Sequence, residues 1–550
     1  MKDAALCFAG ESERVESSFY GRMAANTGLV TAWARYGSGT NLHCVTPAPD
    51  DARKLLELLQ RHGLDKRPLV RFTSYAQSLP QNGVGTLFRL DPNLTDMLWT
   101  RRMSGAERAF SICGLTHTLS PTAVIEWMSY LTIGPAQPWD ALVCTSRAAR
   151  SLVTDLCEQW REYLGERVGA TRRSPVALPI IPLGIDTAPL AHDPAKRAAL
   201  RARLGIGEGD VALLFSGRLS YFEKAHPAPM FIAAELAQAR TDRKLHLMLA
   251  GRFPDPKHEA LYRQEAAALA PSVTLHILDG ADPELFGPSR SAADLFISLS
   301  DNVQETFGLT PVEAMAAGLP ALVSDWDGYR DTVEDGVTGV RIPVLMPPAG
   351  TGAWIGGQHY MARDYYGFLG RVSQRTAVDL EAAAAAIAAL ADDPARRRAM
   401  GRAGMERARR LFDWSAVIPQ YEALWAELRA IREAADPTST LAPVSPDPFR
   451  LYASFATAAP ESTWTVTPMP GWRPRFAVLT ADDLARAHAP TANDIAGLEQ
   501  ILDRIDQMGR TTVGAVQAIV PAGAGDAVLH LLLWLMKMGI VRLTPPDAAG

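Results

Sequence analysis

Five cysteines in 550 residues, with no CxxC pair, give no sign of a disulfide framework or a cysteine-built zinc site. Cys7, Cys44, Cys113 and Cys144 fall in apolar strand-like runs and read as buried thiols of a reducing compartment. Long apolar runs are missing as well. The nearest to a membrane span, Ala527–Val541, is interrupted by His530 and Lys537 and falls short of the roughly 18 residues required. There is no basic surplus: 55 Lys and Arg stand against 60 Asp and Glu, a net charge of −5, which gives no support to a nucleic-acid partner. The opening Met-Lys-Asp-Ala-Ala-Leu lacks the pattern of a secretory leader. The expectation is a cytoplasmic protein without a transmembrane segment, peripheral membrane contact being left open. A content of 47% hydrophobic and 21% charged residues suits globular domains, and the length suggests about three of them.

The most informative stretch is Ser298–Ser324, SLSDNVQETFGLTPVEAMAAGLPALVS. The apolar run Ala293–Leu299 ends in a polar loop, and a short helix and a second apolar run follow. Thr310 reads as the N-cap, Pro311 as the first helical residue and Glu313 as the partner in a capping box. Gly318 suits the left-handed position after the helix, with Pro320 beyond it. The amides of Thr306, Phe307, Gly308 and Leu309 then lie in a strand-to-helix turn at the positive end of a helix, a setting for phosphate or clustered hydroxyls. Glu305 and Glu313 flank the turn, and a carboxylate offers two acceptor oxygens to a vicinal diol. Taken singly, Glu313 reads as a helix cap and Glu305 as a solvated loop acid.

Glu305-Thr-Phe-Gly-Leu-Thr-Pro-Val-Glu313, followed by Ala-Met-Ala-Ala-Gly-Leu-Pro, resembles the signature of family-4 (group 1) retaining glycosyltransferases. The resemblance implies an α/β protein of the GT-B fold, with two Rossmann-like domains facing across a cleft. It also implies that Glu305 meets hydroxyls of the donor sugar and that Glu313 holds the nucleotide ribose.

Earlier in the chain, Ala4–Ala9, a helix over Gly21–Arg35 and Asn41–Thr46 read as strand–helix–strand, the unit of a parallel sheet. Further strands are expected at Leu69–Phe72, Thr86–Leu90, Phe110–Cys113, Ala141–Cys144 and Val176–Ile181. Ile112–His117 resembles the family's strand end that carries a histidine facing the donor sugar, which assigns that role to His117. Ser17–Gly21 sits where the family has a glycine-rich turn near the phosphates, although the Gly-Gly pair is missing; Gly21 is the donor-binding candidate there.

Strand-like runs recur at Val211–Phe215, Leu245–Ala250, Val273–Leu278, Ala293–Leu299, Pro320–Val323 and Gly339–Ile342, a second Rossmann-like unit. Ser216–Lys224 resembles the family element in which an arginine and a lysine neutralise the donor diphosphate, here Arg218 and Lys224. Ser324-Asp-Trp-Asp-Gly328 contains an Asp-x-Asp, but with those cations in place no metal and no cofactor is expected. Leu345–Val378 is too long for a simple link, as functional loops often are. Asp413–Ile431 carries apolar residues at helical spacing and resembles the helix that crosses back onto the first domain.

The expected domains are 1–188 on the acceptor side, 189–411 on the nucleotide-sugar side, the crossover helix at 412–433, a Pro-rich linker at 434–474 and a mainly helical, winged-helix-like module at 475–550. Three helices (Ala492–Met508, Val513–Ile519, Gly525–Met538) and a run at Ile540–Leu543 define that module. It is assigned to a protein partner or to dimerisation, not to DNA, because its third helix carries one lysine and is apolar nearly all round. The functional expectation is transfer of a sugar, with retention, from a nucleotide sugar to a glycan, lipid or protein acceptor. The rival is a non-catalytic nucleotide-sugar or glycan-binding protein of the same fold.

Overall fold

A computed structural model of the chain describes residues 4–8, 20–39, 41–46, 48–64, 71–74, 84–436, 442–481, 489, 495–520 and 524–546. The chain divides into two compact units, Met1–Val444 and Ser445–Gly550.

The first unit holds two parallel six-stranded sheets. In one, β1 (Ala4–Cys7), β2 (His43–Thr46), β3 (Arg71–Ser74), β4 (Thr86–Arg89), β5 (Ser111–Leu115) and β6 (Ala141–Val143) run in the order β3-β2-β1-β4-β5-β6. In the other, β7 (Val211–Arg218), β8 (Leu245–Arg252), β9 (Thr274–Asp279), β10 (Leu295–Ser298), β11 (Ala321–Ser324) and β12 (Gly339–Ile342) run β12-β11-β10-β7-β8-β9. Counted within each domain, both orders are 3-2-1-4-5-6, the doubly wound Rossmann order. These strands are near-continuous apolar runs because helices cover both faces of a parallel sheet, leaving no solvent side to demand alternation. The expected strand at Val176–Ile181 is reduced to two bridges along β6, Ala141 to Ala177 and Cys144 to Ile180.

The helix Trp414–Ala434 closes the unit by packing onto the first domain. Trp425 lies 4.7 Å from Trp33 and 5.5 Å from Phe88 between ring centroids, and Tyr421 lies 5.4 Å from Phe88. Asp413 caps this helix through the Ser415 amide at 3.0 Å and accepts from the Thr187 hydroxyl at 2.6 Å. Pro419 sits inside the helix. Cys7, Cys44, Cys113 and Cys144 are all buried, and burial pushes the Cys113 and Cys144 thiols up to about 12.

The second unit departs from the expected linker. Thr465–Pro468 is the central strand of a three-stranded antiparallel sheet, between Thr511–Thr512 and Val541–Thr544. Trp472 opens a further helix, Trp472–Thr480, and is buried with Val466 and Phe476. Residues 445–474 therefore belong to the folded module. The cause is cooperative: Pro- and Ser-rich composition hides a strand that has no partner until residues about fifty to eighty positions later pair with it. The three expected helices are present, at Ile495–Met508, Val513–Gln517 and Gly525–Lys537.

Candidate active site

The turn after β10 leads into the helix Leu309–Ala316. Its N-cap is Gly308, at φ +94°, and not Thr310. Gly308 can take that conformation, and a β-carbon there would collide with the Tyr329 ring. The helix thus begins earlier than the capping box required, and Glu313 is turned elsewhere: it forms an ion pair with Arg290, from the helix Pro283–Ala292. Gly318 does take the left-handed position after the helix, φ +84°, with its amide donating to Met315 at 2.9 Å. Phe307 is buried against Phe412, 5.7 Å between ring centroids, so its side chain anchors the turn from beneath. Leu309 is half-buried.

Glu305, on this turn, forms an ion pair with Lys224, from the loop after β7. Both side chains are largely shielded from solvent, at 13% and 14% exposure. Burial opposes the charge on Lys224, but Glu305 and Tyr329 outweigh it and hold the ammonium above its ordinary range. Arg218, the last residue of β7, pairs with Glu223 on the same loop. Each cation assigned to the diphosphate is therefore matched to a carboxylate in this state.

His117, two residues beyond β5, is buried, and its main-chain carbonyl accepts from the Thr306 hydroxyl. The Thr306 carbonyl in turn accepts from the Thr145 hydroxyl, just beyond β6, at 3.3 Å. The carboxyl ends of β5, β6 and β10 consequently meet, which brings His117 to the turn that carries Glu305. Gly21 lies in the first turn of the helix Tyr20–Tyr36; the expected loop before it, residues 17–19, falls outside the described residues.

Of the Asp-x-Asp pair, Asp325 is held by Arg330 at 3.5 Å and Arg341 at 3.3 Å. Asp327, at φ +42°, is half-buried, and desolvation followed by the nearby Glu305 charge raises its carboxyl well above the usual range. The Gly328 amide donates to the Glu305 carbonyl at 3.1 Å, so this stretch backs the turn instead of presenting two carboxylates to a shared ion. Among the described residues no group of three or more His, Cys, Asp or Glu is arranged to hold a metal.

Residues 196–345 match the family model for glycosyl transferases group 1. The second domain is a group 1 glycosyltransferase domain. The D-inositol 3-phosphate glycosyltransferase of Nocardia farcinica is 33% identical over 199 residues, 35% of this chain and 42% of the relative. That of Kineococcus radiotolerans is 31% identical over 309 residues, 53% of this chain and 60% of the relative. The chain thus spans less than two thirds of the length of either. Among solved structures, Anabaena Alr3699/HepE in complex with UDP is 16% identical, with a TM-score of 0.48 over 78% of this chain and 100% of that one. No helix among the described residues is long and apolar enough to cross a membrane.

Several site residues are absent from the sequence-based assignment. Arg290, Glu223 and Thr145 come from elements that lie apart from the signature. Glu223 alone had a legible signal, as the acid beside Lys224; the others are placed by topology.

Proposed function

We propose that the protein transfers a sugar from a nucleotide-sugar donor to a hydroxylated acceptor, with retention of anomeric configuration and without a metal ion. The observation that carries this reading is the Glu305–Lys224 pair set over the Thr306–Leu309 turn, with His117 brought to the same turn through Thr306. Lys224 and Arg218 would exchange their carboxylate partners for the leaving diphosphate, and the amides of Phe307, Gly308 and Leu309 would add fixed donors, that of Thr306 being engaged by the Gln304 carbonyl at 2.9 Å; such preorganised groups each contribute on the order of 3 kcal/mol to a transition state. Glu305, freed from Lys224, would accept from donor-sugar hydroxyls. Glu313, further along the helix Leu309–Ala316 and paired with Arg290 of the helix Pro283–Ala292, would offer its carboxylate to the ribose.

The test is turnover of UDP-glucose, UDP-N-acetylglucosamine, GDP-mannose and ADP-glucose, with water, glycerol, glucose, maltose and D-inositol 3-phosphate as acceptors. Release of nucleoside diphosphate from one donor, unaffected by EDTA and lowered at least a hundredfold in kcat by Glu305→Gln, is expected. A Glu305→Gln protein as active as wild type removes the central assignment. Binding of a nucleotide sugar with no turnover favours the non-catalytic alternative, and loss with EDTA reversed by manganese reinstates Asp325 and Asp327 as metal ligands.

A further inference from the structure

The segment 345–378 is not an irregular loop. Its ends pair as a short antiparallel ladder, Val344 with Val378 and Leu345 with Ala377, and between them stand two helices, Ala353–Ala362 and Tyr365–Ser373. By chain connectivity this helical pair belongs to the second domain, but it docks on the first. The His359 imidazole Nε2 lies 2.8 Å from the Ser120 carbonyl, and Arg363 pairs with Glu126 at 3.0 Å. His359 stacks on Phe368 at 4.0 Å with an interplanar angle of 17°, which locks the two helices together. Asp364 caps the second helix through the Gly367 amide at 2.9 Å, so the phenol of Tyr365, at its first position, is aimed by a fixed helix start.

That phenol lies where the two halves of the site converge. The Ser120 hydroxyl donates to the Tyr365 oxygen at 3.4 Å, three residues beyond His117 on the first domain. On the other side Gly370 rests on the Phe222 ring, in the loop that carries Glu223 and Lys224; a β-carbon on Gly370 would stand 3.3 Å from that ring. Arg218 and Glu223 are near enough to bias the ionisation of Tyr365, although burial dominates and raises the phenol, keeping it protonated. A half-buried neutral phenol both donates and accepts a hydrogen bond.

Resting on the proposed transfer reaction, we propose that the 353–373 helical pair is the acceptor-side wall of the site, and that Tyr365 positions the acceptor hydroxyl between Ser120 of the first domain and the diphosphate cations of the second. The acceptor class this fits is a neutral polyol, since the groups converging there are the Ser120 and Tyr365 hydroxyls and the mutually neutralising Arg218–Glu223 pair. Tyr365 holds the incoming oxygen and takes no proton; transfer gains from such orientation because a misplaced nucleophile reacts far more slowly.

The experiment compares Tyr365→Phe, Arg363→Ala and wild type with the donor that turns over in the panel above. It measures, on the same protein, donor hydrolysis by water and transfer to glycerol, glucose, maltose or D-inositol 3-phosphate. Tyr365→Phe keeps the ring and is expected to leave donor KM and hydrolysis within twofold while the ratio of transfer to hydrolysis falls at least tenfold. Arg363→Ala loosens the docking without touching the phenol and is expected to lower that ratio less. An unchanged ratio in Tyr365→Phe, an equal fall in both variants, or a donor KM that rises with the loss of transfer overturns the inference. A wild-type protein that hydrolyses donor but transfers to none of the four overturns it too and leaves the proposed function standing. One that turns over no donor overturns both.

Discussion

The Thr306 hydroxyl donates to the main-chain carbonyl of His117, 189 positions away in the chain. Both groups are buried, and the contact joins the turn after β10 to the end of β5. Replacing Thr306 by Val preserves shape and strands the His117 carbonyl without that donor. A loss of about 1–3 kcal/mol follows for a buried acceptor so stranded. The urea midpoint of the Thr306→Val protein should fall accordingly, and donor turnover should fall with it; an unchanged midpoint means that the bridge contributes nothing to closing the domains.

Glu223 pairs with Arg218, the guanidinium proposed to meet the donor diphosphate. In Glu223→Gln the guanidinium loses its anionic partner, and a like charge near the incoming diphosphate is removed. Calorimetric titration with UDP, GDP and ADP should show at least a threefold gain in affinity for the preferred nucleotide. Weaker binding would mean that Glu223 orients Arg218 instead of restraining it.

Asp301 is buried, and burial pushes its carboxyl up to about 7, with the His226 and Asp301 amides opposing the rise in part. Its folded value lies above the unfolded one, near 4, so the native state holds the proton more tightly. Its contribution is therefore fully present below about pH 4 and is lost as the pH rises from there through about 7. Asp301→Asn keeps the neutral form at every pH. It should gain stability relative to wild type at pH 8, by on the order of a few kcal/mol, and show little gain at pH 4. Denaturant midpoints at the two pH values check this; a gain of equal size at both assigns the effect to packing.

The boundary between the two compact units predicts where the chain divides. A protein ending at Val444 retains both Rossmann-like sheets and the helix Trp414–Ala434 that braces them. It should be soluble and bind nucleotide within twofold of the full chain. A cut at Pro474, the end of the expected linker, would instead leave Thr465–Pro468 without its partner strands. That longer fragment should be the more prone to aggregation, as size-exclusion chromatography and light scattering will register.

Local chemistry wrote much of this protein into its sequence. The apolar runs of β7 to β12 are long enough to be read singly, and the turn from Glu305 to Gly318 carries its own start, glycine and stop signals within a few residues. Gly318 behaves as its neighbours dictate, because a helix end is a local event. The start of the same helix is not: Gly308, against the ring of Tyr329, takes the cap that Thr310 offered, since tertiary packing there outweighs a capping hydrogen bond of about 1 kcal/mol. Sequence likewise placed Arg218 and Lys224, Glu305, and His117 at the ends of three different strands without pairing them. Only the folded chain decided that Lys224 meets Glu305 and that Glu313 meets Arg290, because those partners lie on different elements and spacing along the chain carries no record of them; Arg218 meets Glu223 five residues on, within one strand–loop stretch. The tail follows the same rule. Its helices were legible from their periodicity, whereas the strand at Thr465–Pro468 exists through hydrogen bonds to segments that follow it far along the chain, and a strand without its partners has no local signature strong enough to be seen.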